Sequence, residues 1–182
     1  MKFIPTAIAD VVLIKPEVFG DERGFFMEVW HERKFRAAGL DVRFVQDNHS
    51  RSRRNILRGL HYQVRQPQGK LVRALVGSIF DVAVDLRARS PTYGRWVGAT
   101  LSSDSRHQLY VPPGFAHGFL VTSDVAEVEY KCTDFYAPEH ERSLAWNDPT
   151  VGIHWPLAPG ETPTLSTKDK AGVLLKDAEA VE

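Results

Sequence analysis

A mainly β chain, folded as one antiparallel sandwich or barrel with a few short helices, is the architecture this sequence predicts. Three observations predict it. Short runs rich in Val, Ile, Tyr and Phe recur along the chain. Pro, Gly, Asp and Ser interrupt them at short intervals, and only two stretches read as helices. No internal repeat, low-complexity linker or composition break divides the 182 residues, so one domain over 1–182 is expected.

In chain order, the first helix runs from about Glu32 to Ala38 and is stopped by Gly39. "KLVRALVGSIFDVAVDLR" (70–87) reads as a hairpin, two β-rich runs joined at Gly77-Ser78. "RWVGATLSS", "HQLYVPP" and "VAEVEYKCTDFY" supply the strands that follow. A second helix is expected from about Lys168 to Leu175, although Gly172 works against it. Strand alternation sets which side chains share a face. Ala126, Val128, Tyr130 and Cys132 point inward, with Glu127, Glu129 and Lys131 outward. Asp81, Ala83 and Asp85 alternate with Phe80, Val82 and Val84, which puts the two acids outside unless their face lines a ligand cavity. Periodicity leaves both readings of Asp81 open, and for Tyr130 a core tyrosine with a satisfied hydroxyl is the ordinary reading.

Composition excludes several classes of function. The formal net charge is zero and 43% of residues are hydrophobic, which suits neither a disordered tail nor a general polyanion binder. A lone Cys132 allows no internal disulfide and fits a reducing cytosol. The start, "MKFIPTAIADVVLIKP", is apolar, but Pro5 and Asp10 interrupt any signal-peptide core. No run reaches membrane-spanning length, so a cytoplasmic protein is expected.

Two histidines follow glycines: His61 in "LRGLHYQ" and His117 in "VPPGFAHGFLV". Small double-stranded β-barrels of the cupin type hold metals with two histidines one residue apart, an acid shortly after, and a distant third histidine. "PPGFAHGF" has the Pro-x-Gly-x-x-His form of the distant element, with Pro112, Gly114 and His117. "GLHYQ" has Tyr62 and Gln63 where the second histidine belongs, and no carboxylate follows within six residues. A stable site needs three or more protein ligands, so a cupin barrel is expected and a metal is not. A single strand histidine ordinarily packs, yet imidazole is also the best general base near neutral pH. Upstream lie Arg51, Arg53, Arg54 and Arg58, with Lys70 beyond. The first three read as a solvated face, whereas Arg58, between Leu57 and Gly59, suits bidentate phosphate contact.

"VFGDERGFFMEVW", "FVQDNHSRS", "LRGLHYQ", "QGKLVRALVGSIFDVAVDLR" with "RSPTYG", "VPPGFAHGF", "EYK" and "LSTKD" together closely resemble the dTDP-4-dehydrorhamnose 3,5-epimerase family. The resemblance runs from about Ile8 to Leu175, and its motifs keep their order and spacing. It implies a double-stranded β-helix and cofactor-free chemistry on a dTDP-linked 4-keto-6-deoxy sugar, with no nucleic-acid or membrane partner. The ketone acidifies the hydrogens on ring carbons 3 and 5, so a base and an acid on opposite faces and a cation at the ketone oxygen are required. By resemblance, His61 is the base, Tyr130 the acid, Asp169 the group that orients His61, and Lys70 the cation. Arg23 and Arg58 match diphosphate and substrate contacts, and Glu28, Gln46, Asp47 and Asn48 line the same pocket. His117, Glu141 and Lys168 fall at substrate-contact positions, and Phe19 and Tyr136 would stack on the thymine. A homodimer is implied as well. An enzyme acting on one carbon, a ketoisomerase on a related sugar, and a non-catalytic or metal-dependent cupin are the alternatives.

One local conflict follows. Plain alternation through "ILRGLHYQ" places Arg58 and His61 on opposite faces, yet both should face the ligand. A β-bulge at Gly59 would reset the side-chain phase, because glycine tolerates the backbone it needs.

Overall fold

The computed structural model describes residues 1–182. In chain order its elements are β1 (Lys2–Pro5), β2 (Val12–Lys15), β3 (Val18–Asp21), β4 (Gly24–Met27), α1 (Glu32–Ala37), β5 (Gln46–Arg53), β6 (Leu57–Gln63), β7 (Lys70–Val76), β8 (Ser78–Asp85), β9 (Trp96–Ser102), β10 (Gln108–Val111), β11 (Phe115–Val121), β12 (Val125–Cys132), β13 (Glu141–Ser143) and α2 (Thr167–Lys170). One sheet has the order β1-β2-β10-β7-β12-β5, the other β13-β6-β11-β8-β9, and β3-β4 forms a separate hairpin. Every pairing between these strands is antiparallel. The inner faces meet in an apolar core that joins Val72, Ala126 and Val128 of the first sheet to Ile79, Ala83, Phe119 and Val121 of the second. This is the expected mainly β barrel of the cupin type, with few helical turns. No helix is long and apolar enough to cross a membrane.

Three expectations need correction. The stretch 70–87 does contain two strands, but they do not pair: β7 lies between β10 and β12, and β8 between β11 and β9. Gly77 is therefore a corner between sheets. Its φ is +70°, and a Cβ there would lie 2.0 Å from the Val125 carbonyl oxygen, so only glycine lets the chain turn. Second, Asp81 and Asp85 are fully buried, although alternation put them outside. The opposite face of β8 (Phe80, Val82, Val84) is covered by the C-terminal segment through Val151, Trp155 and Val181. With both faces covered, the alternation carried no inside–outside information. Third, the expected helix from Lys168 to Leu175 is a single turn, Thr167–Lys170. Gly172 follows it, where a Cβ would press on the Leu144 backbone at 2.9 Å, and Val173 bridges to Leu144 instead. The first helix matches its expected span to within one residue and buries Phe35 against Ile14, Leu71 and Tyr110.

Candidate active site

The bulge expected in "ILRGLHYQ" is present. On β11, His117 and Phe119 stand two residues apart, yet their partners on β6, His61 and Arg58, are three apart. The extra residue turns Arg58 and His61 to the same cavity. Gly59 has φ +116°, and a Cβ on it would lie 2.6 Å from both Gly118 Cα and the His117 carbonyl oxygen. Gly118 is equally constrained, since its own Cβ would lie 2.5 Å from the Arg58 carbonyl oxygen. The two glycines thus let β6 and β11 touch backbone to backbone, and that contact aims His61 inward.

A cavity of about 450 Å³ opens between the sheets here. The five-stranded sheet contributes His61 and Arg58 from β6 and His117 from β11; the six-stranded sheet contributes Gln46 and Asn48 from β5, Lys70 from β7 and Tyr130 from β12. His61 and Tyr130 therefore stand on opposing walls. His61 Nε2 lies 2.6 Å from Asp169 Oδ1, and Asp169 is 4% exposed. The carboxylate also accepts from the Gly59 N–H at 3.4 Å and from Ser166 Oγ at 2.7 Å. Burial alone pushes the Asp169 carboxyl up, but hydrogen bonds from His61 and Ser166 outweigh it and hold the pKa below the usual carboxylate value. An ionised Asp169 accepts a hydrogen bond from Nε2–H, so Nδ1 carries the lone pair that can accept a proton.

The other groups are equally well supported. Burial pushes the Lys70 ammonium down from its ordinary value, with only through-space attraction from Cys132, Asp81 and Glu141 opposing it. Such an amine gains when negative charge arrives beside it. Burial pushes the Tyr130 phenol up, so it stays protonated at neutral pH and can donate. His117 Nε2 lies 2.8 Å from Asp81 Oδ1, and both side chains are buried, so Asp81 sits behind His117 rather than on the cavity surface. The Arg58 Nε donates to Ser52 Oγ at 3.0 Å. At the mouth, the Tyr136 hydroxyl donates to Glu141 Oε2 at 2.6 Å, and Lys168 pairs with the same oxygen. The remaining cavity wall includes Gln63, Gln68, Ser50 and Ser166. Reading the sequence missed these four. Ser166 was detectable, because it caps α2 by accepting from the Asp169 N–H at 3.1 Å, a Ser-x-x-Asp start.

Of the residues that the resemblance pointed to, His61, Lys70, Tyr130, Asp169, Gln46, Asn48, Arg58, His117, Tyr136, Glu141 and Lys168 line this cavity. Phe19, Arg23, Glu28 and Asp47 do not. Phe19 and Arg23 line a separate groove on the exposed β3-β4 hairpin, where Arg23 pairs with Asp21. Glu28 pairs with Lys34 at 2.7 Å, and Asp47 points the other way along β5 and pairs with Lys131 at 2.8 Å. Strand alternation explains Asp47: Gln46, Asn48 and Ser50 share the inner face and Asp47 cannot.

Comparison with known proteins gives a consistent answer. A protein from Pseudomonas aeruginosa named dTDP-4-dehydrorhamnose 3,5-epimerase is 58% identical over 180 residues, covering 98% of each chain. One of the same name from Salmonella typhimurium is 52% identical over 184 residues, covering 100% of each. The crystal structure of a Legionella pneumophila dTDP-6-deoxy-D-glucose-3,5-epimerase with dTDP-4-keto-L-rhamnose superposes with a TM-score of 0.94 at 50% identity, covering 98% of this chain and 94% of that one. The profile of the dTDP-4-dehydrorhamnose 3,5-epimerase family matches residues 5–177, and this chain belongs to that family.

Proposed function

We propose that this protein, as one catalytic domain over residues 1–182, inverts carbons 3 and 5 of dTDP-4-dehydro-6-deoxy-D-glucose to give dTDP-4-dehydro-L-rhamnose. The observation that carries this reading is His61 of one sheet, paired with Asp169 of α2, facing the part-buried Tyr130 phenol of the other sheet across a single cavity. Proton removal and return on opposite faces of a ring demand that placement.

In each inversion, His61 Nδ1 takes the proton from the carbon beside the ketone, and the C–H electron pair moves to the ketone oxygen. Lys70 stabilises the enolate oxygen so formed. The Tyr130 hydroxyl then gives its proton to the other face of the same carbon. His61 ends protonated and Tyr130 ends as phenolate, so both must exchange with solvent before the next inversion. Arg58 holds the diphosphate, and Gln46, Asn48, His117, Glu141 and Lys168 contact the rest of the substrate, with Tyr136 against the thymine. No cofactor has a step in this sequence.

The working form is proposed to be a cytoplasmic homodimer. Phe19 and Arg23 sit on a hairpin whose Phe25 and Phe26 are 57% and 70% exposed, an apolar surface that a second copy would cover. Crossing to that copy, the hairpin would bring Phe19, Arg23 and the adjacent Glu28 to a cavity that they do not reach in their own chain. Asp47 lies on β5 rather than on that hairpin, and its proposed role is to hold the β5 edge through Lys131.

The test is turnover of dTDP-4-dehydro-6-deoxy-D-glucose in heavy water, followed by NMR. Deuterium is expected at carbons 3 and 5 with inversion at both. Exchange and inversion at only one carbon would establish the single-carbon alternative, and none at either would overturn the reading.

A further inference from the structure

Gln63 closes the motif "LRGLHYQ" two residues after His61, and the chemistry above gives it no role. Gln63 is 4% exposed, and its carboxamide is fully engaged. Nε2 donates to the Gln66 carbonyl at 2.7 Å and to the Phe135 carbonyl at 3.2 Å, and Oε1 accepts from the Ala137 N–H at 2.9 Å. Two of these three bonds grip the backbone immediately before and immediately after Tyr136.

The segment from Asp134 to Ala137 has almost no support of its own. Its sole backbone–backbone hydrogen bond is from the His140 N–H to the Ala137 carbonyl at 3.0 Å. All other anchors are side chains. The Phe135 N–H goes to Asp134 Oδ1 at 2.8 Å, the Tyr136 N–H to Gln46 Oε1 at 3.0 Å, and the Asp134 carbonyl accepts from Gln68 Nε2 at 2.8 Å. Phe135 and Tyr136 are 61% and 51% exposed, so packing does not hold them in place either. Beyond that one backbone bond, the Asp134 carboxylate and the Tyr136–Glu141 contact, the loop is tied by the amides of Gln46, Gln63 and Gln68, and it keeps its place only as long as they do.

We propose that Gln63 is the positioning residue that fixes Tyr136 over the cavity mouth, and that it thereby sets affinity for the nucleotide end of the substrate. The same strand then carries both the base and the clamp of the mouth loop. This rests on the reading of Tyr136 as the thymine contact.

A double-mutant cycle with dTDP as the probe tests it, using calorimetric titration of wild type, Gln63→Met, Tyr136→Ala and the double variant. Gln63→Met should weaken dTDP binding about tenfold, which is ~1.4 kcal/mol. In the Tyr136→Ala background it should add less than about twofold. In turnover the loss should appear in KM, with kcat within about twofold. Should Gln63→Met fail to fold, Gln63→Glu takes its place, since it keeps the acceptor for Ala137 and loses both donations. A tenfold effect that persists without Tyr136, or a loss confined to kcat, would overturn the proposal. So would unweakened binding in either Gln63 variant beside a wild type that binds dTDP. A wild type that does not bind dTDP would instead refute the functional reading.

Discussion

Replacing Asp169 by Asn changes one atom and separates two ways in which a carboxylate can serve a histidine. Both carboxylate oxygens are occupied: Oδ1 by His61 and the Gly59 N–H, Oδ2 by Ser166 Oγ. Asparagine offers one oxygen and one NH₂. Its NH₂ cannot point at the Gly59 N–H without setting donor against donor, whereas Ser166 Oγ can turn and accept. The oxygen therefore stays on His61, and Nε2 keeps its proton. What is lost is the charge on a hydrogen bond of 2.6 Å. Charge-assisted bonds contribute about 1.5–3 kcal/mol and neutral ones about half of that; losing the difference, at about 1.36 kcal/mol per tenfold in rate, should lower kcat roughly 3- to 13-fold. An inverted tautomer would instead bring a loss on the order of 10⁴-fold, as a carboxylate-to-amide change does in a serine protease triad. The assay is kcat and KM for the 4-keto sugar, with dTDP binding as the check on the intact site. Wild-type kcat would refute the orienting role of Asp169, and a loss near 10⁴-fold would refute the tautomer argument.

Lys70→Met should lower kcat by roughly 10²–10³-fold, the size of one oxyanion donor, and leave dTDP binding in place. The same change should raise Tm by roughly 2–4 °C per kcal/mol of relieved desolvation, because burial holds the Lys70 pKa below its unfolded value. The sign extends to pH. Between the lowered folded pKa and the ordinary lysine value the unfolded chain binds more protons, so wild-type stability gains from Lys70 as pH rises, and Lys70→Met abolishes that gain. Gly59→Ala should yield insoluble or unfolded protein, because its Cβ would lie 2.6 Å from the β11 backbone at φ +116°; a soluble, active variant would show that the β6–β11 contact is adjustable. Mixing inactive Arg23→Ala and His61→Ala chains should restore up to about a quarter of wild-type sites if the hairpin crosses between copies; activity that stays absent after subunit exchange would contradict the dimer.

The local rules that worked were those with one dominant cause. The phase conflict between Arg58 and His61 required an extra residue, and the bulge lies where glycine permits it. Alternation along β12 worked because only its inner face is covered: Ala126, Val128 and Cys132 are buried, while Glu129 pairs outward with Arg73. Along β8 the same rule failed, since the C-terminal segment covers the outer face and Asp81 is buried behind His117. Gly77-Ser78 carried a turn signal but no information on where the turn leads, and it joins two sheets rather than two paired strands. Nothing local reveals that Phe19 and Arg23 lie away from the cavity, because their place depends on how a hairpin leaves the barrel. Gln63 stayed hidden for a similar reason: the backbone groups that it grips, at Phe135 and Ala137, lie some seventy residues further along the chain.

The most direct measurement of the two-sided mechanism is the ratio of deuterium exchange to inversion in Tyr130→Phe. The phenol lines the cavity, and its ring packs against the barrel core, so removing the hydroxyl alone should leave fold and substrate binding in place. His61 and Asp169 remain, so proton removal should continue, and solvent deuterium should still enter by return from the His61 side. Inversion needs a donor on the opposite wall and should fall much further than exchange. A folded variant that exchanges but inverts poorly is the predicted result. Exchange and inversion falling together, or neither changing, would contradict the assignment of Tyr130 as the acid.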